Sequence, residues 1–248
     1  MSSLFSPDDE PSDAGAAAKP ARKRAARAVT AAKEIPVSAA EFLPQRLSIT
    51  ALRKSAHSCE GCELFRNATQ VVFGEGPANA NLMIVGETPG DREDLAGKPF
   101  VGPAGKLLDD ACAEVGIDRA AVYVANAVKH FKWEPRGKRR LHARPSAREI
   151  SACQPWLAAE IEVVKPRTII CLGATAAQTL LGREFRITRQ RGQVIASKWA
   201  ERMIASWHPS AILRAPDEAT RQRMRSELVQ DLRLAHESPR TGSHTVAP

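Results

Sequence analysis

One repeated cadence constrains this chain more than any other feature. Short apolar, β-branched runs stop at a glycine or a polar residue, and helical patterns follow them. NLMIVGE (81–87), AVYVANAV (121–128) and RTIICLG (167–173) read as buried strands. GQVIAS (192–197) and RMIASWHPS (202–210) read as two more. Between them, GPAGKLLDDACAEVG (102–116) reads as a helix stopped by Gly116. SAREISACQPWLAAEIEVVK (146–165) opens on Ser146, with Glu149 at capping-box spacing. SITALRKSAHSC, ATAAQTLLG and DEATRQRMRSELVQDLRLA (217–235) complete the helices. Strands alternating with helices predict an α/β fold whose mostly parallel sheet is covered on both faces. In such folds ligands sit beyond the carboxyl ends of the strands, where Glu87, Asn126 and His208 fall.

The cadence occupies residues 43–236, one domain's worth of chain. Residues 1–42 are rich in Ala, Pro, Ser and charge and read as a disordered tail, as does the polar stretch 237–248. The basic piece AAAKPARKRAARAVTAAK within the first tail either binds DNA non-specifically or simply solvates. No apolar run is long enough for a membrane span, and the N-terminus lacks the pattern of a secretory signal. Five cysteines, an odd number, do not suggest a disulfide framework, so a reducing cytoplasm is expected.

Charge is distributed unevenly. The chain carries +8 overall, yet residues 129–148 alone hold eight Lys and Arg against one acid, Glu134. A block of this kind favours an anionic partner, most readily nucleic acid, over a solvated loop without a role. Its centre is GKRRLHARPS (137–146), where Lys138, Arg139, Arg140 and Arg144 surround His142. Composition alone makes His142 a phosphate-contacting residue.

Three further motifs carry chemistry. GETPGDREDLAGKPFVGPAG (86–105) is a Gly- and Pro-rich turn bearing Glu87, Asp91, Glu93 and Asp94. Acids there would repel a nucleic-acid backbone unless they do chemistry or hold a metal. The turn lacks the G-K-[ST] ending of a Walker loop. Phe100, between Pro99 and Val101, is either a core plug or an aromatic platform for a flat ring. WHPSAIL (207–213) follows a strand, where a fixed imidazole at His208 and a helix N-terminus donate hydrogen bonds. CEGC (59–62) suits zinc, an iron–sulfur cluster or redox exchange. It follows a helix rather than a strand, which argues against a thioredoxin-type role. Cys153 and His130 are candidates for further ligands, whereas Cys112 and Cys171 read as core.

In the order Cys-x2-Cys, GETPG…GKPFVGPAGKLLD, NAVK, ACQPWL, WHPSAILR, these motifs resemble the family-four uracil-DNA glycosylases over roughly residues 45–235. The insertion WEPRGKRRLHARPS resembles that of one subgroup, the UdgX proteins, which carry a K-R-R-[IL]-H loop and become covalently joined to uracil-containing DNA. The resemblance implies a three-layer α/β/α uracil-DNA glycosylase fold and a [4Fe–4S] cluster held by Cys59, Cys62 and Cys153. The fourth ligand, usually a cysteine, falls at His130, as it does in the subgroup; a three-thiolate cluster with solvent or no fourth ligand is the alternative. The partner implied is uracil-containing DNA, single-stranded and in some cases double-stranded, bound by a monomer in the bacterial cytoplasm beside the nucleoid.

The resemblance also assigns roles. Phe100 stacks on uracil, Asn126 reads its Watson–Crick edge, and Gly86 and Thr88 join that pocket. The subgroup commonly has Gln where this chain has Thr88. His208 bonds the uracil O2, where negative charge develops as the base leaves. Glu87 or Asp91 is expected to orient or activate water. Lys138, Arg139, Arg140 and Ser210 are assigned to DNA, with Arg140 either fixing the loop or holding a phosphate. His142, kept neutral by the surrounding cations, is expected to attack C1′ in place of water. The alternatives are a turnover glycosylase that releases abasic DNA and a non-catalytic uracil-DNA binder.

Overall fold

A computed structural model describes residues 38–237; the expected tails 1–37 and 238–248, with the basic piece, lie outside the described residues. Within it, β1 (Leu82–Gly86), β2 (Tyr123–Asn126), β5 (Thr168–Leu172) and β6 (Arg202–Ser206) form a sheet in the order β2-β1-β5-β6, parallel throughout. Strand alternation builds two cores from this one sheet. Met83, Val85, Tyr123, Ala125, Ile169 and Cys171 face one side and pack on α4 (Ala147–Val164) and α5 (Ala174–Leu181). Leu82, Ile84, Val124, Ile170, Leu172 and Ile204 face the other. There they meet α3 (Pro103–Glu114), α7 (Pro209–Leu213) and α8 (Glu218–His236). The result is the three-layer α/β/α arrangement, in which each apolar strand face is covered by helices.

Local signals hold where they are local. Ser146 caps α4 in a full capping box, donating its backbone N–H to Glu149 at 2.6 Å and accepting from the Glu149 N–H at 3.3 Å. Gly116, at φ 77, lies just beyond the end of α3 and takes the left-handed conformation that stops the helix. A third apolar cluster joins α1 (Ile49–Ala56) to α4 and includes Cys59, Cys153, Trp156 and Phe73.

Three differences from the sequence reading matter. GQVIAS does not form a strand. It contributes a single antiparallel bridge, Ile195 to Met203, because Gly192 at φ 69 turns the chain beside the edge strand β6. Part of the stretch expected as a tail is also structured: Ala39–Phe42 make a 3-10 turn, and Ala39 is buried. Most consequential, the basic stretch around His142 is no loop. It is a two-stranded antiparallel hairpin, β3 (Trp133–Arg136) and β4 (Arg139–His142), with Trp133 opposite His142. Gly137, at φ 60, takes the first central position of its turn, as a type II′ hairpin requires.

Candidate active site

β1 pairs with β2 on one side and β5 on the other. The chain therefore reverses its direction of winding between β1 and β5, and a crevice opens beyond their carboxyl ends. Two adjoining cavities lie there. The first, about 360 Å³, is lined by residues that include Thr88, Asp91, Phe100, Asn126, His142 and His208. The second, about 220 Å³, includes Glu87, Gly173 and Trp207. Thr88, His142, His208, Ser210 and Arg214 belong to both, so the two histidines stand at the junction.

Phe100 sits on the α2–α3 connection, after α2 (Asp91–Ala96), with φ 57, a conformation unfavourable for a residue carrying a Cβ. Its surroundings hold it there. A Cβ on Gly105 would stand 1.8 Å from the Phe100 carbonyl oxygen, so only glycine lets α3 approach this closely. A Cβ on Gly86 would stand 2.4 Å from Asn126 Oδ1 and 2.7 Å from Phe100 Cζ. Gly86 thus contributes empty space in which the aromatic ring and the amide meet. The Phe100 ring faces His208 with centroids 6.3 Å apart and planes 27° from parallel. Glu93, buried, accepts the Gly102 N–H at 2.7 Å and ties α2 to the start of α3.

His208 is the N-cap of α7. Its Nδ1 accepts the Ser210 N–H at 3.1 Å and lies 2.7 Å from Ser210 Oγ. With Nδ1 occupied as an acceptor, the neutral ring carries its proton on Nε2. Burial, helped by the nearby positive charge of Arg214, pushes the His208 pKa down to about 4. Ser210, expected above to contact DNA, also fixes the tautomer of His208.

The hairpin is clamped to the body by its own side chains. Arg140 Nε donates to Asp91 at 2.6 Å, and its Nη1 donates to Asp94 at 2.6 Å and to Thr69 at 3.1 Å. The guanidinium also lies over the rings of Phe131 and Trp133. Of the two roles expected for Arg140, the geometry therefore favours fixing the hairpin over holding a phosphate. The same bonds occupy Asp91, while Glu87 and, more weakly, Glu93 are the carboxylates whose charge bears on His142. Trp133 Nε1 donates to the Asn67 carbonyl at 2.9 Å and Lys132 pairs with Glu149 at 2.9 Å. Lys138 and Arg139 stand exposed at the hairpin tip.

His142 ends β4, solvent-facing, with the Phe131 ring 6.1 Å away. Its pKa is lowered, but not by the cations of its own stretch. Partial burial against the cavity walls is the main cause and Arg214 adds to it, while Glu87 opposes both. Arg214, the last residue of WHPSAILR, is thus a functional candidate to which the motif gives no role. Its charge bears on both histidines, a relation visible only once α7 is placed beside β4.

Thr88 is buried and donates its hydroxyl to the His130 carbonyl at 3.0 Å, stitching the β1 turn to the segment after β2. Beneath Asn126 lies a fully buried ion pair that sequence reading did not anticipate. Lys129 Nζ donates to Glu160 and, at 2.8 Å, to the Asn126 carbonyl. Glu160 also accepts from the Tyr123 hydroxyl at 2.9 Å and the Gly74 N–H at 3.0 Å.

Cys59, Cys62 and Cys153 come together at the third apolar cluster, free of disulfides. Burial, with a smaller contribution from repulsion by Cys62 and Cys59, pushes the Cys153 thiol up to about 12. Trp156 Nε1 donates to Cys59 Sγ and the Lys129 N–H to Cys153 Sγ, each at 3.2 Å, the N–H···S bonds suited to thiolate ligands. Among the described residues no three such side chains converge closely enough for a single metal ion. The donor set itself, three thiols with N–H donors beside two of them, has the soft sulfur chemistry that an iron–sulfur cluster requires. His130 is buried, which lowers its pKa to about 4 against the opposing pull of the Asp94 charge.

Known proteins place this geometry. Residues 73–233 match the family model described as the uracil DNA glycosylase superfamily. A type-4 uracil-DNA glycosylase of Thermotoga maritima is 41% identical over 157 residues, covering 63% of this chain and 78% of that protein. One from Archaeoglobus fulgidus is 39% identical over 166 residues, covering 64% and 80%. One from Pyrobaculum aerophilum is 34% identical over 195 residues, covering 76% and 93%. No helix among the described residues is long and apolar enough to cross a membrane. With its parallel sheet, its cavity at the strand ends and these similarities, the chain belongs to the uracil-DNA glycosylase superfamily, whose members are DNA glycosylases, enzymes that hydrolyse N-glycosyl bonds.

Proposed function

We propose that this protein excises uracil from DNA and that His142 then captures the sugar it has freed. The observation that carries the reading is the sharing of one cavity by Phe100, Asn126, His208 and His142. A flipped uracil stacks on Phe100, which offsets part of the roughly few kcal/mol needed to leave the helix. The Asn126 amide reads its polar edge. Glycosidic cleavage sends the C1′–N1 electron pair to the base, and the Nε2–H of neutral His208 donates to the oxygen where charge collects.

The sugar is left electron-poor at C1′. The unprotonated ring nitrogen of His142 gives its lone pair to form a C1′–N bond, and the proton on its other nitrogen passes to Glu87. The departed uracil anion takes a proton from solvent. The N-glycosyl imidazole lacks a good leaving group, so each protein molecule acts once. Lys138 and Arg139 hold the DNA backbone.

Cys59, Cys62 and Cys153, with His130 as the fourth ligand, would hold a [4Fe–4S] cluster. When bound, that group supplies a cross-link between the 59–62 turn and α4, and no redox step is required of it.

A second reading, a turnover enzyme in which Glu87 activates water and abasic DNA is released, is favoured by the names of the type-4 relatives. Denaturing gel electrophoresis with a uracil oligonucleotide separates the two. Capture gives a heat- and SDS-resistant protein–DNA species, absent with thymine and absent in His142→Ser. Multiple turnovers without such a species establish the second reading. Absence of any released uracil refutes both.

A further inference from the structure

A third cavity, about 470 Å³, lies outside the site just described. It is lined by Arg144, Ala147, Gln154, Thr175, Gln178 and Arg183, among others, and by no acid. Its floor is polar: Gln154 donates to the Thr179 carbonyl at 3.3 Å, and the Thr179 hydroxyl donates to the Thr175 carbonyl at 2.8 Å. Its rim is cationic. Arg144 and Arg183 are exposed, and among the described residues neither has a carboxylate within ion-pair distance.

Two unpaired guanidinium groups beside hydroxyl and amide groups suit an anion with several oxygen acceptors. Position adds the second argument. Arg144 follows His142 by two residues and donates to Thr175 Oγ1 at 3.3 Å. Thr175 in turn follows Ala174, which lines the catalytic crevice. The groove therefore lies one residue along the chain from the crevice lining, at Thr175 beside Ala174, and two residues from His142.

We infer that this groove is a phosphodiester track for the DNA strand next to the flipped nucleotide, with Arg144 and Arg183 each neutralising one phosphate. The inference rests on the uracil-DNA reading above and adds a site to it. Neither arginine touches the base or C1′, so their contribution belongs to affinity for longer DNA and not to bond cleavage.

Binding of fluorescent single-stranded DNA is measured against salt for the full chain, Arg144→Gln/Arg183→Gln, and a control, Arg221→Gln/Arg225→Gln. The control removes the same charge from two arginines of α8, Arg221 paired with Glu218 and Arg225 paired with Glu114 of α3. The groove variant is expected to lower the slope of log K against log salt by about 1.4, about 0.7 for each phosphate lost. It should also release uracil from a very short oligonucleotide at the normal rate. An unchanged slope, or an equal fall in the control, overturns the inference. So does a loss of uracil release on the short substrate, because the arginines would then serve the cavity itself. If the unaltered protein releases no uracil while the slope still falls in the groove variant alone, the functional reading fails and the phosphate track stands.

Discussion

The buried pair Lys129–Glu160 offers the sharpest energetic test. Both side chains are closed to solvent, at 1% and 0% exposure. Lys129→Met removes the ammonium and leaves the Glu160 carboxylate buried with the Tyr123 hydroxyl and the Gly74 N–H as its remaining protein donors. It also strips a hydrogen bond from the carbonyl of Asn126. Breaking one side of such a pair costs about 3–5 kcal/mol, since an uncompensated charge stays in a low-dielectric interior. A domain of this size loses about 2–4 °C of Tm per kcal/mol, so Lys129→Met should melt roughly 6–20 °C lower.

The double variant Lys129→Met/Glu160→Gln removes both charges and retains an acceptor for Tyr123 and Gly74. It should regain most of that loss, giving a coupling of at least about 2 kcal/mol in a double-mutant cycle. Thermal unfolding followed by circular dichroism reads stability, and uracil release against substrate concentration reads the seat of Asn126. A loss under about 1 kcal/mol in Lys129→Met, or a double variant no better than the single one, would refute the reasoning.

Other outcomes follow from the same geometry. Arg214 lowers the pKa of both His142 and His208, so Arg214→Gln should raise both and move the acid limb of adduct formation to higher pH, read by gel densitometry between pH 4 and about 8. Because the His208 pKa falls to about 4 in the folded chain against about 6.5 unfolded, its contribution to stability is complete above about pH 6.5. That contribution is lost as pH falls toward 4, and a His208→Asn variant should show a flatter acid unfolding profile. Gly105→Ala should cut uracil release at least about tenfold, because its Cβ would stand 1.8 Å from the Phe100 carbonyl oxygen; an active Gly105→Ala enzyme would show that Phe100 needs no fixed seat. Arg140→Gln releases the hairpin from Asp91 and Asp94 and should expose residues 133–142 to limited proteolysis, with adduct yield falling faster than uracil release.

Much of the architecture was legible because its signals are local. The capping box at Ser146, the stop at Gly116 and the apolar runs of β1, β2, β5 and β6 each involve residues within a few positions of one another. GQVIAS misled because β-propensity describes fitness for a sheet and not the pairing achieved; Gly192 and Ile195 bond to β6, but only Ile195 makes a bridge. The stretch around His142 misled in the opposite sense, since Pro135 and dense positive charge disguise a hairpin. Its pairing is sustained from outside by Arg140 on Asp91 and Asp94, some 46 to 49 positions earlier. The expected cause of a neutral His142 shifted likewise, from the charges adjacent in sequence to burial and to Arg214.

The sequence by itself determined the α/β class and the strand ends at which Glu87, Asn126 and His208 stand, because periodicity and motif spacing are properties of the chain. Only the tertiary structure decided how the conspicuous residues are arranged and which of them bind one another. It turned Arg140 and Asp91 into a clamp, made Ser210 the keeper of a tautomer, and set Lys129 and Glu160 beneath Asn126. It also brought Arg214 to both histidines. Electrostatics and hydrogen bonding depend on distance through space and on burial, and neither can be counted along a chain.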